Sequence, residues 1–367
     1  MFRRSVHQEK GFIPKRCALA LVTGILAIAL PAFAQTPMPV TVGAGLQTSF
    51  VHSGRTTPTD GSIDRFLINS ARIYLNGSAT PEIKFMFNTE YDGSNNKIGV
   101  LDAVARYEPS AHFNIWMGRF LPPSDRANLY GPYYSHSWNS YIDSVQDGYP
   151  TMATGRDTGI TYWGDYGKVK VSAGAFDGPT TNGNEKVILA GRIQVDFWDK
   201  EAGYYLNGNY YGAKNLLAIG GAFQSQASGD HSLQGNNTAA TADFLMEKKM
   251  SNEGVVTVES EFSYYDRLGG WDSSYGLSRG YYVLASYLFP QQVGMGKIEI
   301  LGKFGEARFD KGATIFDPHY TQKTSEVNLN YVIKEFNARV MTFYTNRKYS
   351  AVRPDLWQVG VGLQIQM

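Results

Sequence analysis

The sequence predicts an all-β chain: a transmembrane antiparallel β-barrel of about sixteen strands, with a long third loop folded into its lumen. Three observations carry that expectation. In the last thirteen residues, Trp357, Val359, Val361, Leu363, Ile365 and Met367 alternate with Gln358, Gly360, Gly362, Gln364 and Gln366. Period two marks a strand, because successive side chains leave opposite faces of the pleat. A strand with one apolar face and one face of amides and glycines separates an apolar medium from a polar one. Segments of this kind recur about sixteen times, so the apolar medium is taken as lipid and the polar one as water. The polar faces also carry many charges, and a lysine or arginine facing lipid at the midplane costs roughly 2–4 kcal/mol, which excludes a one-residue slip of register. Closure follows, since an open sheet edge in lipid would leave backbone groups unpaired at several kcal/mol each.

Residues 1–34 are expected to be a cleaved signal peptide. Arg3, Arg4, Lys10, Lys15 and Arg16 precede an apolar run over 17–30 that is too short to span a bilayer, and Ala32-Phe33-Ala34 supplies a cleavage site before Gln35. Its removal takes away five basic residues and one acidic residue, so the formal charge falls from +1 to −3. Nothing in that balance argues for a nucleic-acid partner. The only cysteine, Cys17, leaves with the signal, so the barrel domain 35–367 has no thiolate chemistry and suits an oxidising periplasm without disulfides. About 333 residues over sixteen strands allow about twenty-one for each strand and its connection. No later stretch approaches about twenty consecutive apolar residues, so no spanning helix is expected.

In chain order, 40–50 is the first strand, ended by a loop through Ser53, Gly54, Pro58 and Gly61. Strand 65–77 returns with Leu67, Ala71, Ile73 and Leu75 opposite Ser70, Arg72, Tyr74 and Asn76. A tight turn at 78–81 leads into 82–92, where Ile83, Phe85, Phe87 and Tyr91 oppose Lys84, Asn88, Glu90 and Asp92. Next, Leu101, Ala103, Ala105 and Tyr107 oppose Asp102, Arg106 and Glu108, and Pro109-Ser110 turns the chain into Phe113, Ile115 and Met117. The alternation then stops over 121–155, a length that a compact domain seldom leaves without structure and that a loop inside a wide barrel accommodates. It resumes through 160–164, 168–177, 187–197, 214–226, 240–249, 255–266, 279–289, 297–309, 323–334 and 336–346 before the final strand. Short and long connections alternate, as expected for periplasmic turns and external loops. Segment 198–213 falls on the short side yet holds the strand-like 204–211; it is taken as a long periplasmic connection, because a hairpin there would make eighteen strands. Aromatics sit at strand ends, Phe197, Trp198, Phe289 and Phe336 on one side and Tyr91, Tyr264, Tyr265, Tyr281 and Tyr344 on the other. Such girdles belong at two membrane interfaces.

Several stretches resemble the phosphate-selective porin O and P family of Gram-negative outer membranes: Leu101-Asp102-Ala103 to Glu108-Pro109, Met117-Gly118-Arg119-Phe120 with Pro123, Gly155-Arg156-Asp157-Thr158-Gly159, and 243–249 leading to 255–264. The similarity runs over nearly all of 35–367. It implies a sixteen-stranded, homotrimeric outer-membrane porin whose third external loop, here 121–155, narrows a water-filled channel. Such a channel passes small hydrophilic solutes by diffusion, including anions such as phosphate. Its partners would be outer-membrane lipid, the solutes and, during insertion, the barrel-assembly machinery. The chain departs from the family pattern in having Asn69 and Ser70 where an arginine pair often precedes Arg72, Leu121 where lysine often follows Gly-x-Phe, and Met367 in place of a terminal phenylalanine.

Pore selectivity comes from rings of charge and from the constriction. Arg72, Lys84, Arg106, Lys170, Arg192, Lys303 and Arg339 are candidate pore-lining cations that could form a ladder for phosphate oxygens. Glu259 and Glu261 are candidate pore-lining acids, and in the constriction loop Asp125, Asp143 and Asp147 stand against Arg126. The alternative is that these charges pair across strands and stiffen the wall. Tyr130, Tyr133, Tyr134, Trp138, Tyr141 and Tyr149 offer a stacking surface for solutes or pin the loop to the wall, and the apolar area to be buried favours pinning. His52, His112, His136, His231 and His319 lack metal-ligand spacing, and no phosphate-cradling glycine loop ends in Gly-Lys-Ser/Thr. No metal, cofactor or enzymatic activity is expected. The competing reading is a structural or adhesive barrel with a plugged lumen, binding partners through its external loops.

Overall fold

The chain winds once round a closed antiparallel sheet in which every strand pairs with its sequence neighbours. The computed structural model describes residues 39–55, 61–92, 96–139, 155–178, 186–227, 237–266, 277–310, 319–350 and 354–367; the expected signal peptide 1–34 lies outside them. The strands are β1 (Val40–Arg55), β2 (Ile63–Ser78), β3 (Ile83–Asp92), β4 (Lys97–Tyr107), β5 (Asn114–Phe120), β6 (Asp157–Asp165), β7 (Val169–Phe176) and β8 (Ile188–Asp196), followed by β9 (Leu216–Gln226), β10 (Asn237–Lys249), β11 (Val255–Asp266), β12 (Leu277–Val293), β13 (Gly296–Phe309), β14 (Tyr320–Lys334), β15 (Ala338–Tyr349) and β16 (Leu356–Gln366). β16 closes on β1, making the sixteen-stranded barrel that the alternation predicts. The seam runs from Gly45 opposite Gln366 to Arg55 opposite Leu356. The backbone of Met367 extends it by two bonds to Ala44, of 3.0 and 2.9 Å.

Burial is inverted relative to a soluble protein. On β16, Val361 and Ile365 are 47% and 42% exposed while Gln364 is wholly buried; on β14, Val327 is 56% exposed while Asn328 is wholly buried. Apolar side chains therefore face outward and amides and charges inward, the arrangement of a barrel with lipid outside. Phe197, Trp198, Tyr281 and Tyr344 are exposed at the strand ends where the girdles were expected.

The start of β1, the end of β16 and the tight turns share one end, with the longer connections at the other. The exception is the connection between β8 and β9, in which no strand forms, so the count stays at sixteen. The wall is low over β5–β8, strands of seven to nine residues, and tall over β12–β14, strands of fourteen to seventeen.

Four side chains differ from expectation. Register shifts occur at Gln47/Thr48 in the β1–β2 pair and at Asn88/Thr89 in the β3–β4 pair. An extra residue reverses which face the following side chains take. Leu67 thus pairs with inward-facing Ser49, leaving Phe66 and Ile68 outside, and Leu101 is buried while Ile98 and Val100 take the outer face. Tyr265 is buried on the inner side of β11. Phe336 is buried at the β14–β15 turn, edge-on to Tyr134 and Tyr211 at 5.4 and 5.0 Å.

Candidate functional site

Two connections hydrogen-bond to inward-facing groups of the wall: 121–139, which follows β5, and 197–215, which joins β8 to β9. The first carries α1 (Arg126–Tyr130) and a 3₁₀ turn, Pro132–Tyr134. Asp125 caps α1, its Oδ1 accepting from the Asn128 amide at 2.7 Å. Burial pushes the Asp125 carboxyl up to about 6, against the pull of that amide.

Arg126 is wholly buried and joins the two connections. It donates to Glu201 Oε1 and Oε2 at 3.0 and 2.6 Å and to the Asn207 carbonyl at 3.0 Å, with Nε 3.7 Å from Asp243. Burial alone would raise the Glu201 pKa, but the Arg126 guanidinium outweighs it and holds this carboxyl well below its usual range. Arg192 grips both oxygens of Asp243, at 2.5 and 2.9 Å, and reaches the Ser124 carbonyl at 3.1 Å. Bidentate geometry of this kind is the strong form of the ion pair.

The rest of 121–139 is fixed to strands around the barrel. Glu259 accepts from Tyr130 Oη at 2.9 Å and from Tyr282 Oη at 2.7 Å, and Glu261 accepts from Ser263 Oγ at 3.1 Å. Tyr133 Oη donates to the Ser70 carbonyl at 3.2 Å, and its ring lies 5.1 Å from the Arg72 guanidinium. His136 Nε2 lies 2.7 Å from Glu299 and 3.0 Å from Ser286 Oγ. Burial alone would depress the imidazole, but Glu299 outweighs it and the pKa rises. Lys303 donates to Ser137 Oγ at 2.8 Å and to the Asn139 carbonyl, and lies 3.5 Å from Glu326. Arg339 donates to the Ser135 carbonyl and to Gln364 Oε1, both at 2.8 Å. Two wall glycines make room for the aromatics: a Cβ on Gly45 would stand 2.7 Å from the Tyr133 ring, and one on Gly362 would collide with the Trp138 ring.

Of the other sequence-derived candidates, Arg72 pairs with Glu90, and Lys84 with Glu108 at 2.8 Å. Arg106 lies over the Trp116 ring and donates to the Phe85 carbonyl at 3.3 Å. Lys170 is buried, and its Nζ has no hydrogen-bond partner among the described residues. Tyr134 is 39% exposed. Asp143, Asp147, Tyr141 and Tyr149 lie outside the described residues. Sequence reasoning missed Glu201, Tyr204, Tyr210 and Tyr211. The available signal was their density on a long connection at the end where the other connections are short turns. A cavity of about 570 Å³ opens toward the end that holds the start of β1 and the end of β16, and one of about 540 Å³ toward the other.

No family model and no curated protein matches the sequence. Among solved structures, the fold is that of outer-membrane porins. The chain is similar to OprB of Pseudomonas putida at high pH (TM-score 0.61, 10% identity, 89% of this chain and 94% of that one). It is also similar to the anion-selective porin from Comamonas acidovorans (TM-score 0.59, 14% identity, 90% and 100%). A third match is the trimer form of in-vitro folded OmpT of Vibrio cholerae (TM-score 0.56, 10% identity, 90% and 99%).

One expectation is corrected by these matches. The sequence reading excludes enzymatic activity, but the matched structures include several forms of OmpT described only as an outer membrane protein. One barrel fold hosts different chemistries, so the likeness does not carry that exclusion, and it is withdrawn. The sequence also holds one Gly-x-Ser-x-Gly, Gly276-Leu277-Ser278-Arg279-Gly280. Its Ser278 sits in the extended wall of β12, not on the strand–turn–helix elbow that makes such a serine a nucleophile.

Proposed function

We propose that the chain is an outer-membrane porin, exported by a signal peptide over 1–34, in which 35–367 forms the barrel and 121–155 the constriction loop. It passes small hydrophilic solutes by diffusion, with a preference for anions such as phosphate, and works as a homotrimer. The observation that carries this reading is the inverted burial: a closed wall, apolar outside and lined with charge and amide inside, has its physical use where lipid surrounds water. The likeness in fold to an anion-selective porin and to OmpT, an outer membrane protein in a trimer form, supports it. Arg72, Arg192, Lys303 and Arg339, with Glu259 and Glu261, line the passage in this reading, and Arg126, Tyr130 and Tyr133 set its narrowest part.

The test is conductance in planar bilayers. Stepwise current supports the channel, the reversal potential in a KCl gradient gives the sign of selectivity, and block by phosphate tests specificity. A second reading, a plugged barrel, is favoured by one observation: Arg126, His136 and Glu201 are almost wholly buried inside the wall. Folded protein that gives no steps, in liposomes that do not swell in small sugars, decides for the plug.

A further inference from the structure

Over 35–367 the formal charge is −3, yet lysines gather at one place on the rim of the wall. We propose that the tight-turn end, from the β6–β7 turn to the β10–β11 turn, binds the headgroup of an anionic phospholipid. This rests on the outer-membrane reading but not on conduction, and it gives the lipid partner a chemistry and a place. In that reading the tight turns face the periplasm, at the level of the inner-leaflet headgroups.

Four ammonium groups converge on residues 197–200. Lys168 Nζ donates to the Phe197 carbonyl at 2.8 Å, and Lys214 Nζ to the Lys200 carbonyl at 2.7 Å. Lys248 Nζ lies 5.1 Å from the centroid of the Trp198 ring, and a Cβ on Gly167 would stand 3.6 Å from Lys200 Nζ. None of the four pairs with a carboxylate among the described residues. The neighbouring acids hold backbone amides or other cations: Asp165 the Gly167 amide at 3.1 Å, Asp199 the Asn215 amide at 2.7 Å, Glu201 the guanidinium of Arg126, and Glu253 the ammonium of Lys249. An ammonium has three donors and no acceptor, so one carbonyl or one ring face leaves capacity to spare. Gathering like charges is costly until an anion joins them.

The setting selects a lipid over a free ion. Lys248 is exposed and shares the outer face of β10 with Ala242 and Phe244. Phe197 and Trp198 are exposed beside it, as interfacial aromatics are at headgroup depth. A phosphodiester held here keeps its acyl chains against the outer wall, a contact that inorganic phosphate cannot make. A choline headgroup would bring its own cation among four others. The charge pattern therefore favours a headgroup of net negative charge, such as phosphatidylglycerol.

Folded protein in a neutral detergent is offered phosphatidylglycerol and phosphatidylcholine with the same acyl chains in equal amounts, and bound lipid is counted by native mass spectrometry. One lysine near an anionic lipid surface is worth about a fivefold gain in affinity. With two in contact at once and partly screened by solvent, phosphatidylglycerol is expected to be retained about tenfold over phosphatidylcholine. The variant with Lys168→Gln, Lys200→Gln, Lys214→Gln and Lys248→Gln should bring that ratio to about twofold or less. A control that loses the same charge elsewhere, Lys297→Gln, Lys323→Gln, Lys334→Gln and Lys348→Gln, should keep it. Equal retention of the two lipids by the native protein overturns the inference, and a control that falls as far as the variant overturns the location. Inorganic phosphate that displaces phosphatidylglycerol at equal concentration overturns the lipid assignment. The preference without current steps in planar bilayers sinks the channel reading and leaves this inference; steps without the preference do the reverse.

Discussion

Replacing Glu201 by alanine tests whether the two interior connections hold each other in place. Both side chains of the Arg126–Glu201 pair are wholly excluded from solvent. Removing one partner of such a pair costs about 3–5 kcal/mol, because the other charge is left buried. Arg126 would retain Asp243 at 3.7 Å and the Asn207 carbonyl at 3.0 Å, which places the cost at the low end, about 3 kcal/mol. At 1.36 kcal/mol per tenfold, that is about a hundredfold shift toward release of the two segments. Hydrogen exchange on folded protein in detergent reads it directly. The amides of Leu129 and Gly131, bonded to the Asp125 and Ala127 carbonyls, should exchange about a hundredfold faster while those of β12 to β14 keep their protection. An Arg126→Met, Glu201→Leu double variant removes both charges and should recover most of the loss. Unchanged exchange in Glu201→Ala, or a double variant worse than the single, refutes the idea that this pair is the clasp.

Other perturbations have equally definite outcomes. His136 has a pKa raised above its ordinary value of 6.5, so the stability it contributes is complete below that value and is lost as pH rises through the higher, folded one. Exchange at 135–139 should therefore rise at alkaline pH beyond the intrinsic increase, and His136→Gln should abolish the difference; a flat profile in the native protein counts against the His136–Glu299 clamp. Gly45→Ala should force Tyr133 from its seat and cost about 1–3 kcal/mol, as overpacking does, with altered single-channel conductance as the readout. The same conductance in the variant would show that Tyr133 does not shape the passage. Val327→Arg places a charge on the outer face and should cost roughly 2–4 kcal/mol in urea-dependent folding into liposomes, whereas a soluble barrel would accept it at no such cost.

The difference between what the sequence reveals and what it hides lies in the range over which each signal acts. Val359 to Ile365 and Val327 to Asn330 announce their faces because a pleat alternates residue by residue and lipid punishes any exception. The sixteen strands and the outer band are legible in the sequence for that reason. A single inserted residue is invisible to the same rule: Leu67 and Leu101 look apolar and outward, yet the register shifts beside them turn both inward. The interior is harder still, because its contacts join residues far apart in the chain and no period connects them. Arg126 stands out as the lone base of a loop with several acids, but its partner Glu201 lies on a long connection at the opposite end, to which the sequence assigns no contact. Even so, one trace is present. A polar strand face has no use for bare glycine unless something approaches it, and Gly45 and Gly362 sit where Tyr133 and Trp138 arrive. Matching glycines on the wet face against aromatics on the longest loop makes the docking of 121–139 against β1 and β16 deducible, though its partner from the opposite end leaves no such mark.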